Sequence, residues 1–241
     1  MLTRTFAGLE FALDHPEIVG RRVLITGAAS ELGLEVVRLF AEHGARLALH
    51  CDDDSRATQA RMAVATQDAL AVERVNGSVA SHHDTLHMAR ASAQVFGGLD
   101  MAVNIAMLPE LEDASQLGVE RTVSAALMLP TLVTQVVANR MRTSLTEGMI
   151  LNVLASRPHA SPRQRAAEGF ARTALAALTR GEAAAWGPYG IRINAVAPPT
   201  GLVRHTDDYV CGMPDVASLA LHMAGDRSSR LSGLVLEGWC G

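Results

Sequence analysis

The chain has 241 residues, 49% hydrophobic and 19% charged, with a formal net charge of −4. That apolar share supports one large core and excludes an intrinsically disordered chain. The acidic balance offers no footing for nucleic acid or another polyanion.

The N-terminal MLTRTFAGLEFALDHPEIVG lacks the continuous apolar core of a signal peptide. No stretch approaches the ~18 apolar residues that span a bilayer, so a cytoplasmic chain with no membrane partner is expected. From residue 21 onward, apolar runs alternate with helical patterns. RRVLIT (21–26) predicts a buried strand running into a glycine turn, and LGLEVVRLFAEHG (32–44) a helix that stops at glycine. RLALHC (46–51) predicts a strand, ATQARMAVATQDAL (57–70) a helix, and AVERVNG (71–77) a third strand. MAVNIA (101–106), MILNVLA (149–155) and IRINAVA (191–197) follow as strands. Helix-length stretches lie between them near 80–96, 116–142 and 164–186. PDVASLALHMA (214–224) continues the helical pattern, and LVLEG (234–238) closes the series. Apolar strands alternating with helices predict one doubly wound α/β domain, with about seven parallel strands covered on both faces. Residues 1–18 read as an N-terminal extension.

TGAASELG (26–33) sits where the first strand turns into the first helix, with Gly27 and Gly33 in place. In a doubly wound fold that turn meets a pyrophosphate with backbone N–H groups and a helix N-terminus. A tight glycine turn also serves strand–helix packing without any ligand. After the second strand comes Cys51-Asp52-Asp53-Asp54. It is either a solvated acidic loop or a set of carboxylates that favour NAD over NADP by repelling a 2′-phosphate.

Three segments in order resemble the short-chain dehydrogenase/reductase family. The TGAASELG loop is similar to its Thr-Gly-x-x-x-Gly-x-Gly. GGLDMAVNIAM (97–107) is similar to its Leu-Asp-x-Leu-Val-Asn-Asn-Ala-Gly stretch, and GPYGIRINAVAPP (187–199) to its Gly-Ile-Arg-Val-Asn-x-Val-x-Pro-Gly signature. The resemblance runs from about residue 18 to the end. It implies a Rossmann-like fold and hydride transfer between a nicotinamide and a carbonyl or alcohol carbon. In that chemistry a tyrosine moves the hydroxyl proton, a lysine four residues on makes it more acidic and holds the ribose, a serine orients the substrate and an asparagine supports a water relay.

The sequence departs from that pattern at each of these positions. Counting back from IRINAVAP puts the tyrosine position at Glu168 and the lysine position at Arg172. The serine position falls on Ala155, with Ser156 one residue away, and the asparagine position on Ala126. All 21 basic residues are arginine, and the only tyrosines are Tyr189 and Tyr209. Arginine stays protonated at any relevant pH and shuttles no proton. Glu168 and Arg172, at i and i+4, read first as a helix ion pair.

The cofactor positions implied by the resemblance are Gly27, Ser30, Glu31, Leu32, Gly33, Asp52, Asn104, Ala106 and Pro198. They read as vestigial. Glu31 replaces the middle glycine, which adds bulk and negative charge near the expected pyrophosphate. It is also a reasonable first-turn residue, because helix N-termini favour acids. Met107 replaces a bare glycine, Pro198-Pro199 a proline–glycine, and Ser78 the usual adenine-pairing acid. Only RHTDDYVCGM (204–213) stands where the family carries its substrate lid.

His83 and His87, one turn apart, lack a third ligand, so no metal is expected. Cys51, Cys211 and Cys240 form neither a disulfide framework nor a metal-ligand spacing. The expected function is a catalytically impaired or non-catalytic member of the family, working through binding or assembly. The expected partners are copies of itself, as a dimer or tetramer, or a partner enzyme, with no dinucleotide or only weak NAD bound and NADP disfavoured. Two alternatives stand beside it: an atypical NAD-dependent oxidoreductase rebuilt around Ser156, Glu168 and Arg172, and a small-ligand sensor using the old cofactor cleft.

Overall fold

The structure is a computed structural model that describes residues 15–53, 55–113, 115–155, 161–197 and 213–236. Seven strands make one sheet: β1 Arg22–Thr26, β2 Arg46–His50, β3 Ala71–Val75, β4 Met101–Met107, β5 Gly148–Ala155, β6 Ile191–Val196 and β7 Val235–Leu236. Every pairing is parallel, in the order β3-β2-β1-β4-β5-β6-β7. The order reverses between β1 and β4, and in open α/β sheets the crevice at such a switch point is where ligands bind. The expected doubly wound α/β fold is thus observed.

Side chains alternate across the strands and each set meets its own helices. Val23, Ile25, Leu47, Leu49, Val103 and Leu151 pack under α1 (Glu31–Glu42) and the late helix Met213–Ala224. Leu24, Ala48, Ala102 and Ile150 face the other way. There they meet α3 (His82–Ser92), α4 (Gln116–Thr143) and α5 (Pro162–Trp186). Helix α2 (Arg56–Ala65) lies beside α1 at the outer end, and the late helix is α6.

Five of these helices begin on a serine. Ser30, Ser55, Ser81, Ser115 and Ser161 each accept a hydrogen bond from a first-turn amide three residues on. Each such cap contributes about 1 kcal/mol. The apolar pattern that predicts a helix to residue 70 outruns the real one. Thr66 turns its hydroxyl onto the Met62 carbonyl, and Leu70 donates its amide to Ala45 to start the next strand. Of the expected extension, Pro16–Ile18 forms a single helical turn that seats Ile18 fully in the core. Arg22 then ties β1 to the start of β4, its Nε and Nη2 reaching the two Asp100 oxygens at 2.9 and 2.6 Å.

The expectation that no segment is apolar enough to span a bilayer needs correction. Helix α4, 28 residues with an 18-residue window of mean hydropathy 1.3, meets that measure by length and composition. Its Val133, Val137 and Met141 are spent on covering the sheet. It also holds a buried Pro130, which removes the N–H that would bond the Ala126 carbonyl.

Candidate functional site

The crevice begins where β1 ends. Gly27 has a φ of 66°, and a Cβ there would fall on the carbonyl oxygen of Ile105 in β4. A Cβ on Gly33 would fall on the Gly27 carbonyl. Ser30 closes the loop by donating its hydroxyl to Gly27 O at 2.8 Å while accepting from Gly33 N at 3.0 Å. Both glycines are therefore required by the turn itself, before any ligand is considered. Glu31 and Leu32 occupy the first helical turn, where amides lack intrahelical acceptors and can serve an anion. Leu32 is buried, whereas the Glu31 side chain is exposed. Glu31 therefore adds its charge at the rim instead of filling the loop.

Asp52 has a 66% exposed side chain, 3.7 Å from the ring of His50. With Cys51, Asn76, Gly77 and Ser78 it lines an open cleft of about 470 Å³ beside the ends of β2 and β3. Asp53 is spoken for locally: it accepts from the amide and hydroxyl of Ser55 and from the Thr58 hydroxyl. These bonds, the one from Thr58 foremost, hold its pKa below the usual carboxylate range. Ser78 turns its hydroxyl to the Ala80 amide. Asp54 lies outside the described residues.

Asn104, in β4, is fully buried and belongs to a polar ladder across the sheet. Thr26 donates to Asn104 Oδ1 at 3.4 Å, Asn104 Nδ2 donates to Asn152 Oδ1 at 2.8 Å, and Asn152 Nδ2 donates to Thr134 at 3.2 Å. Both ends of its amide face neighbouring strands, so Asn104 serves the sheet. Ala106 lies in the apolar cluster under the crevice, and Met107, paired with Ala155, is 41% exposed at its lip.

The positions that carry the chemistry of the resembled family lie on α4, β5 and α5. Ala126 on α4 is 3% exposed and packs with Leu108, Leu154, Ala167 and Ala171. Ala155 ends β5, half-buried. Glu168 on α5 is 1% exposed and Arg172, one turn later, is half-buried. Each takes part in a polar or electrostatic contact. Ser156 and Pro198 lie outside the described residues, as does the short segment at 204–212. Tyr189 stands before β6, at the N-terminal end of the strands, with Arg142 over its ring at 5.5 Å. Tyr209 lies outside the described residues.

Two structural contacts escape the sequence reading. His50, 1% exposed, donates from Nε2 to the Gly77 carbonyl at 2.9 Å, which pins the β3–α3 loop to β2. Gln164, one turn before Glu168, clamps the loop after β4 by donating to Pro109 O at 3.0 Å and accepting from Leu111 N at 2.9 Å. His83 and His87 are exposed on α3, and no group of three possible metal ligands occurs among the described residues.

A family profile described as enoyl-(acyl carrier protein) reductase matches residues 27–209. The chain belongs to the short-chain dehydrogenase/reductase family. It is 27% identical to the peroxisomal 2,4-dienoyl-CoA reductase of Arabidopsis thaliana, over 92% of this chain and 84% of that one. It is 26% identical to D-threitol dehydrogenase of Mycolicibacterium smegmatis, over 95% and 94%. Among solved structures it superposes on hydroxysteroid dehydrogenase from Escherichia coli with a TM-score of 0.75 at 21% identity, covering 93% of this chain and 97% of that one. That last likeness speaks for the fold alone.

Proposed function

We propose that this chain keeps the dinucleotide fold of its oxidoreductase relatives and has lost the proton-transfer half of their chemistry. It works through binding or homo-oligomeric assembly, with at most weak affinity for NAD. One observation carries this reading. Where the family uses a phenol and an ammonium, this chain carries on α5 the carboxyl of Glu168, 1% exposed, and the guanidinium of Arg172, half-buried. A general acid must reach the reacting oxygen and hold a proton to give. Arg172 can hold ribose hydroxyls, which is half of the lysine's work, but it exchanges no proton at neutral pH.

A second reading, an atypical NAD-dependent oxidoreductase acting on a carbonyl or alcohol, draws its support from the relatives. They are named as reductase and dehydrogenase, and they match over 92% and 95% of the chain. The kinship favours this reading more than the first, while the residue types at positions 168 and 172 favour the first. Here Glu168 is the acid–base group and Arg172 holds the cofactor ribose.

The two part on turnover. Purified protein is mixed with NADH or NADPH and a panel of ketones, aldehydes and acyl-thioester ketones, and nicotinamide absorbance is followed. The first reading expects no substrate-dependent oxidation. Turnover that vanishes in Glu168→Gln would overturn it in favour of the second.

A further inference from the structure

The chain contains five asparagines, and only Asn76 is followed by glycine. Asn104, Asn152 and Asn194 are buried in strands. Asn139 lies in α4, where its side chain accepts from Arg142. Asn76 is exposed in the loop after β3, and no hydrogen bond engages its side-chain amide or the Gly77 N–H among the described residues. That amide nitrogen is free to lose its proton and turn toward the neighbouring side chain. The fold also forbids the usual protection, a bulkier residue at 77. A Cβ there would stand 2.9 Å from Cβ of Met88, which is fully buried.

We propose that Asn76 is a site of spontaneous deamidation, and that the product remodels the wall of the cleft beside β2 and β3. The Gly77 nitrogen attacks Cγ of Asn76, a new C–N bond closes a succinimide ring, and the side-chain nitrogen leaves as ammonia. Solvent water then opens the ring at either carbonyl. One opening gives aspartate, the other isoaspartate, with no change of oxidation state.

Both products alter the same wall. A new carboxylate joins Asp52 on the cleft of about 470 Å³. Isoaspartate also adds a methylene to the main chain directly before Gly77, whose carbonyl accepts from the buried ring of His50 at 2.9 Å. Nδ1 of that ring has no other partner. Moving the carbonyl costs the buried imidazole its hydrogen bond, which is destabilising. On the reading that the crevice binds NAD weakly, the added charge weakens it further.

The full-length chain is incubated at mildly alkaline pH beside a mildly acidic control. The site is mapped by peptide mass spectrometry and by methyl transfer from an isoaspartyl methyltransferase. A synthetic peptide of residues 72–80 is the reference. The expected result is conversion at Asn76 with Asn139 intact, faster at the higher pH, and loss of the isoaspartyl signal in Asn76→Ala, which melts like the wild type. An intact Asn76 in the folded chain, when the peptide has fully converted, would overturn the proposal. So would equal conversion at Asn139. Neither readout involves a dinucleotide. Comparing NAD affinity between wild type and Asn76→Asp tests the cleft reading separately.

Discussion

Replacing Gly27 by alanine separates a glycine kept for folding from one kept for a ligand. The residue sits at φ 66°, and left-handed backbone costs a residue with a Cβ about 1–2 kcal/mol. The new methyl would also overlap the Ile105 carbonyl, part of a strand buried on both faces that cannot swing aside. Overpacking of that kind costs about 1–3 kcal/mol. Together the loss is about 3 kcal/mol. For a chain of this size each kcal/mol moves the melting midpoint by roughly 2–4 °C, so the variant should melt about 9 °C lower. Gly169 is the matched control. It lies exposed within α5, and a Cβ there meets nothing within 4 Å, so Gly169→Ala should gain about 0.5–1 kcal/mol. Both are measured by scanning calorimetry without any nucleotide present. An unchanged midpoint for Gly27→Ala would refute the packing argument and return the glycine to a ligand-binding role.

Three further outcomes follow from the structure. Burial raises the pKa of Asp100, but the paired hydrogen bonds from Arg22 outweigh it and hold the carboxyl below its usual range. A depressed carboxylate stabilises the fold above its unfolded pKa and loses that contribution as pH falls through its folded one. Asp100→Asn should therefore cost about 2 kcal/mol at neutral pH, and the gap to wild type should narrow in strong acid, as read by urea unfolding across pH. Glu31→Gly should tighten NAD binding several-fold in calorimetry, because it removes a negative charge from the rim of the expected pyrophosphate site; a micromolar wild-type affinity would refute the weak-binding expectation. Light scattering should find a dimer or tetramer, and Phe170→Asp, changing a side chain 65% exposed on α5, should shift it toward monomer.

The fold was legible because its signals are local. Apolar runs of strand length, helical periodicity and glycines at the turns each declare themselves within a few residues. What escaped were contacts whose partners lie far apart in the chain. His50 meets Gly77 across 27 positions, Asn104 meets Asn152 across 48, and Gln164 meets Pro109 across 55. Nothing in the one-dimensional pattern joins them. Asn104 shows the consequence: its place in a recognisable motif suggested cofactor contact, and only its two cross-strand bonds reveal that its amide is occupied. Glu31 differs in kind: its place in the first helical turn is read from the sequence, whereas its exposure shows only in three dimensions.

The proline in α4 changes what the alanine at 126 means. A side chain can be replaced, whereas a main-chain oxygen comes with any residue. Because residue 130 offers no N–H, the oxygen of residue 126 keeps a lone pair that an uninterrupted helix would consume. Hydrogen-bonding capacity at this spot is thus governed from one turn away, by a ring that is itself buried. Substitution at 126 leaves that oxygen in place; Pro130→Ala would close it.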